Sequence, residues 1–161
     1  MRRVLIAIAS TLSAGAAVLA QQPAATGHLV VQAPEIKWVA AQTLEKGASS
    51  AVISGDPSKA GSPFVIRVKL PAGFKINPHW HPTDEHATVL SGTFALGMGE
   101  KFDASALKDI PTGGYSLLPA EMRHFAMSRT ETTIQVHGNG PFAVNYVNPA
   151  DDPRTRTAPA K

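Results

Sequence analysis

Hydrophobic positions in this chain come in short bursts. Runs of five to seven apolar or alternating residues recur along it, punctuated by Gly, Pro, Asn and Asp. Ten stand out: "HLVVQ" (28–32), "KWVAA" (37–41), "AVISG" (51–55), "FVIRVKL" (64–70), "ATVLSG" (87–92), "TFALGM" (93–98), "YSLLP" (115–119), "HFAMS" (124–128), "TTIQVHG" (132–138) and "FAVNYV" (142–147). No long 3.6-residue period, heptad or fixed repeat interrupts the series. Closely spaced strands with turn signals between them predict an all-β sandwich or barrel. "SGT" at 91–93 reads as a tight turn joining two strands. The stretch "FDASALKDI" (102–110) predicts one short helical turn, with Asp103 as its N-cap. Thirteen Gly and thirteen Pro suit many turns. In "LPAGFKINPHWHP", Pro71, Gly73, Pro78 and Pro82 break what would otherwise be one continuous strand.

The first twenty residues follow a different logic. Met1, Arg2 and Arg3 precede the uncharged run "VLIAIASTLSAGAAVLA", and Val18-Leu19-Ala20 offers a small-x-small cleavage site before Gln21. That is the layout of a secretory signal peptide, cleaved near Ala20, with a periplasmic or secreted destination. The run contains Ser, Thr and Gly and is short of the ~20 strongly apolar residues of a membrane span, so no membrane association is expected after cleavage. Loss of Arg2 and Arg3 takes the formal charge from +3 to +1. No basic cluster or interleaved aromatic stripe survives, which leaves no footprint for nucleic acid. The chain has no Cys, so its core, a metal or a partner must hold it together. The expected organisation is a signal peptide (1–20), a lead-in with N-terminal strands (21–59), a barrel core (60–147) and a flexible C-terminal tail (148–161) rich in Pro, Asp and Arg.

Chemistry concentrates in "PHWHPTDEHATVLSG" (78–92). His79 and His81 are two apart, and side chains at i and i+2 of a strand share a face. Glu85 follows beyond Pro82, where the chain can turn a carboxylate toward the same point. His124 opens a later strand. Three neutral imidazoles and one carboxylate suit a borderline divalent transition metal.

The stretch Gly73-(five)-His79-Trp80-His81-(three)-Glu85-(six)-Gly92 resembles the first motif of the cupin superfamily. Gly113-(five)-Pro119-(four)-His124 resembles the second, twenty residues further on. Glu121 stands where the family often has Gly and Ser128 where it often has Asn, which puts the local turn in doubt and leaves the ligand position intact. The resemblance covers about residues 60–147 and implies a jelly-roll, or double-stranded β-helix, barrel with His79, His81, Glu85 and His124 pointing inward as metal ligands. The "HPTDEH" run and the "VNPADDPR" ending are similar to those of small exported single-domain bacterial cupins.

Other residues have competing readings. Asp84 takes the carboxylate role if the register slips by one. His86 should turn to the opposite face from Glu85. His137 and Gln135 form either a polar layer behind the site or a solvated strand face. Trp80 should face away from the metal, as outer core or subunit interface. Phe94, Leu96, Leu118, Phe125 and Met127 are candidates for barrel lining, and Arg123 reads as a surface charge or an anion contact.

Four protein ligands allow a closed tetrahedral zinc or an octahedral ion with two open positions. The resemblance favours the second: one divalent transition metal, Fe2+ or Mn2+ ahead of Zn2+, Ni2+, Co2+ or Cu2+. It implies a metal-dependent dioxygenase or related oxidoreductase acting on a small oxygen-rich organic substrate, with Glu85 as a catalytic proton acceptor. The alternative is a non-catalytic periplasmic cupin that binds a metal or small ligand. A homodimer is the expected assembly, with the apolar segment 28–41 covering an exposed sheet edge.

Overall fold

The computed structural model describes residues 27–156. The expected signal peptide, residues 21–26 and residues 157–161 lie outside them. Eleven strands in the described residues form two antiparallel sheets. One has the order β1 (Val39–Ala40), β2 (Ser49–Gly55), β3 (Pro63–Leu70), β10 (Thr132–Asn139), β5 (Glu85–Ser91), β8 (Tyr115–Leu118). The other runs β11 (Asn145–Tyr146), β4 (Lys75–Trp80), β9 (His124–Ser128), β6 (Thr93–Met98), β7 (Lys108–Pro111). Four 3-10 turns supply the only helical backbone among the described residues. The expected all-β jelly roll is what the chain forms.

Alternation explains why these runs become strands. In β10, Thr132, Ile134 and Val136 are buried while Thr133, Gln135 and His137 are less so. In β3, Phe64, Val68 and Leu70 point inward. Together with Ile76, Val89, Phe94 and Ala126 they form one core between the sheets. Burying a side chain of this size contributes about 1.5–3 kcal/mol.

The 91–93 turn crosses from one sheet to the other, because β5 pairs with β10 and β8 whereas β6 pairs with β9 and β7. Gly92 is required there: φ is +80°, and a Cβ would sit 2.3 Å from the Glu131 carbonyl oxygen.

Several segments depart from the sequence expectation. "HLVVQ" forms no strand: the chain leaves it into a 3-10 turn, Ala33–Glu35, closed by Gln32 N–H donating to Glu35 Oε2 at 2.8 Å. Without a partner ladder the apolar run stays exposed, with Leu29 at 53% and Val30 at 66%. β4 runs through Pro78 despite its missing N–H, by means of a bulge. The stretch 102–110 gives its expected turn, Ala104–Ala106 with Asp103 Oδ1 accepting from Ser105 N–H, and then an unexpected strand, β7. The strand expected at 51–55 does form, as β2, and adds to the six-stranded sheet beside β3. Residues 148–156, read as part of the flexible tail, form two capped 3-10 turns. They are tied back by Arg154 Nη2 donating to the Val144 carbonyl (2.7 Å) and by an Arg156–Glu45 ion pair (2.6 Å).

Candidate metal centre

The bulge in β4 aims the histidines. Pairing with β9 advances from Ile76 opposite Ala126 to His79 opposite His124. Three steps on β4 therefore match two on β9. In an unbroken strand Ile76 and Pro78 would face in and His79 out. The extra residue at Asn77–Pro78 reverses the parity, and Ile76, His79 and His81 all line one cavity. Pro78 is tolerated because a bulge leaves its position without a ladder donor. His124, the first residue of β9, and Glu85, the first of β5, reach the same place.

Each imidazole is held through its Nδ1. His79 Nδ1 lies 2.8 Å from the Asn77 carbonyl, His81 Nδ1 2.8 Å from that of Ala143, and His124 Nδ1 2.9 Å from that of Met122. A carbonyl only accepts, so each Nδ1 carries the proton and each Nε2 keeps its lone pair. The ligand atoms of His79, His81 and His124 lie within 4.8 Å of one another, so this group could hold a metal ion. Glu85 Oε2 is 3.3 Å from His81 Nε2 and 3.5 Å from His124 Nε2. Bonds of about 2.0–2.1 Å to one ion would put neighbouring donors ~2.8–3.4 Å apart; the first separation falls in that range and the second just beyond it. His81 Nε2 is buried with no hydrogen-bond partner, an arrangement costing about 1–3 kcal/mol unless something binds it.

Electrostatics agree with a donor set. Burial, then the His124 and His81 imidazoles, push His79 down to about 3. It is therefore neutral at physiological pH. Burial alone would raise the Glu85 carboxyl, but the adjoining His124 and His81 side chains outweigh it and hold Glu85 well below the usual carboxylate range. All four are at most 9% exposed.

The donors open on a cavity of about 220 Å³ walled by both sheets, with Ile66, Val136, Leu96 and Phe142 among its lining. The Phe142 ring stacks on His81 at 4.3 Å. Thr43 and Leu44, from the loop after β1, complete one wall. Tyr146 steadies that loop by donating its hydroxyl to the Thr43 carbonyl (2.8 Å). Burial and the Glu45 carboxylate push that hydroxyl up to about 12.

The remaining candidates separate cleanly. Asp84 is exposed, and its Oδ1 accepts from Ala120 N–H at 2.8 Å. Glu85 is thus the carboxylate inside the cavity. His86 and His137 are cross-strand neighbours on the outer sheet face, stacked at 4.9 Å, with His86 Nδ1 2.6 Å from the Tyr115 hydroxyl. Gln135 accepts from Arg67 Nε at 3.1 Å on that same face. Trp80 packs under Arg123, whose guanidinium carbon is 5.4 Å from the ring centroid.

Phe94, Leu96 and Leu118 line the cavity, whereas Phe125 and Met127 do not. Alternation from inward His124 puts these two on the far face. There Phe125 is sealed under Phe102 and against Gly97, where a Cβ would approach its ring to 2.3 Å. Glu121 keeps the turn that Gly would make by adopting φ 63°, and its N–H donates to the His81 carbonyl at 2.8 Å. Ser128 also satisfies its turn: its hydroxyl donates to the Pro71 carbonyl and accepts from Phe74 N–H. Phe142, Tyr146 and the three anchoring carbonyls were not singled out by the sequence.

A two-sheet jelly roll with these residues converging inside it is a cupin fold. The chain belongs to the family described as Domain of unknown function (DUF4437), whose model matches residues 13–145. No curated protein matches it. Among solved structures, the polyketide cyclase RemF from Streptomyces resistomycificus is similar at TM-score 0.62 and 16% identity, over 80% of this chain and 91% of that one. A "putative acetylacetone dioxygenase" from Methylibium petroleiphilum is similar at 0.59 and 18%, over 83% and 90%. KdgF from a Halomonas species follows at 0.55 and 19%, over 70% and 92%. At these identities the likeness shows the fold.

Proposed function

We propose that the chain is an exported mononuclear metal-binding cupin, and that it acts as a metal-dependent dioxygenase or related oxidoreductase on a small organic substrate. The observation that carries this reading is the His81 Nε2: buried, unpartnered, and set among two further imidazoles and a carboxylate at the end of a cavity. His79, His81 and His124 bind through Nε2, and Glu85 supplies the anionic donor. A divalent transition metal bound there supplies Lewis acidity and redox capacity. Fe2+ or Mn2+ is favoured, and Zn2+, Ni2+, Co2+ and Cu2+ also suit the donors. The cavity walls exclude bulk water and orient the substrate. Glu85 is the carboxylate placed to accept a substrate proton.

The second reading, a non-catalytic periplasmic binding protein, also has support. Among the described cavity residues, only the hydroxyls of Thr43, Ser50 and Ser116 add polar side chains to the four donors. No separate acid or base stands beside the metal position. Oxygen uptake decides between the two. Protein loaded with Fe2+ or Mn2+ should consume oxygen on mixing with small enols or catechols. Tight binding of these compounds without uptake would assign the binding role. Export is tested by N-terminal sequencing of protein recovered outside the cytoplasm, which should begin at Gln21.

A further inference from the structure

The interior does not match a substrate that is oxygen-rich throughout. Both sheets turn aliphatic or aromatic groups into it: Ile66 and Val136 from one, Leu96 and Ala126 from the other. Among the described lining residues there is no Lys, Arg, Asn or Gln. The nearby cations are engaged elsewhere. Arg67 lies between the cavity-lining Ile66 and Val68, yet it points to the outer face and meets Gln135. Arg123 lies over Trp80, and Arg154 pairs with Asp152.

Charge counting sharpens the point. Three neutral imidazoles and one carboxylate around a divalent ion leave a single positive charge. One anionic head neutralises it, and a second anion would be buried without a partner, at a cost of several kcal/mol. Size narrows the class further. The cavity holds about 220 Å³, and an apolar cavity of ~150 Å³ accommodates benzene. One ring or a short chain fits within it.

We infer that the site takes a small molecule with one oxygen-chelating head, such as an enolate or a singly deprotonated catechol, on an uncharged apolar body, and that it rejects substrates carrying a second anionic group. This rests on the reading of the four donors as metal ligands.

Alkyl hydroxamates on Co(II)-loaded protein test the two separately. Cobalt content after dialysis reports on the metal reading, and calorimetric affinity reports on the class of ligand. Each added methylene from acetohydroxamate to butyrohydroxamate should tighten binding about fourfold, the equivalent of ~0.8 kcal/mol per buried CH₂. The carboxylate-bearing succinic monohydroxamate should bind at least about 100-fold more weakly than pentanohydroxamate. Val52→Arg, at a cavity-lining position that is 59% exposed, should recover at least about tenfold of that loss. Affinities that ignore chain length, or a carboxylate compound that binds as tightly as its neutral counterpart, would overturn the inference. Loss of cobalt on dialysis would overturn the metal reading instead. In that case, tighter binding of hexanol than of butanol to metal-free protein would uphold the apolar body, and equal binding would reject it.

Discussion

Replacing His81 with Ala separates the role of this side chain in the fold from its role in holding a metal. In the metal-free protein the change has opposing effects. It removes a ring stacked on Phe142 at 4.3 Å, worth about 0.5–1.5 kcal/mol. It leaves the Ala143 carbonyl without its donor, at about 1–3 kcal/mol. It also removes the unpartnered Nε2, which returns a similar amount. The metal-free variant should therefore melt close to the parent. With metal the two should part. A ligand at a hundred times its dissociation constant adds about 2.7 kcal/mol to stability. Across the 130 described residues, at about 2.1 cal/mol/K per residue, that is a rise in melting temperature of about 10 °C. Thermal scans with and without Co2+ should show that rise in the parent and at most about 2 °C in His81→Ala. A variant that keeps both its metal stoichiometry and the full rise would refute the assignment of His81.

Glu85→Gln should weaken metal affinity at least about tenfold and leave the circular dichroism spectrum unchanged. Asp84→Asn should leave metal affinity as it is; the reverse result, read by competition with a chelator, would move the carboxylate by one residue. Glu121→Gly should stabilise the protein by about 1 kcal/mol in urea unfolding, because the left-handed backbone costs a non-Gly residue about 1–2 kcal/mol and Gly's unfolded-state entropy offsets part of the gain. Stability of the metal-free protein should fall with acid. His79 sits at about 3 against 6.5 unfolded, so the unfolded chain binds the extra proton between those values. Glu85, held low, adds a further loss below about 4.5 in the same direction; a flat profile from pH 7 to 3 would contradict both. The proposed homodimer should appear by light scattering on residues 21–161, and Val30→Asp, in the exposed apolar segment, should shift it toward monomer.

How much of this was legible in the sequence depends on distance along the chain. The alternation in β3, β5, β6, β9 and β10 is local, and those strands fall within a residue or two of where the pattern puts them. The pairing of His79 with His81 is local too. The reason both face inward is not, because the reversal at Pro78 shows only once β4 is laid against β9. Two of the three anchoring carbonyls, Asn77 and Met122, lie two residues before their histidines. The Ala143 carbonyl lies 62 residues from His81, and nothing local foretells it. Phe125 and Met127 could have been placed outside by counting from His124; hydrophobicity alone suggested lining. "HLVVQ" shows the converse limit, since an apolar run becomes a strand only when another strand is there to pair with it.

The central claim is that the three imidazoles and Glu85 surround one ion. Metal analysis of the native protein, together with an anomalous-scattering map of its crystals, tests this most directly. The expected result is about one transition-metal ion per chain, in a single peak within bonding distance of the Nε2 atoms of His79, His81 and His124 and a carboxylate oxygen of Glu85. A chain without metal, or a peak beside His86 and His137 on the outer face, would contradict it.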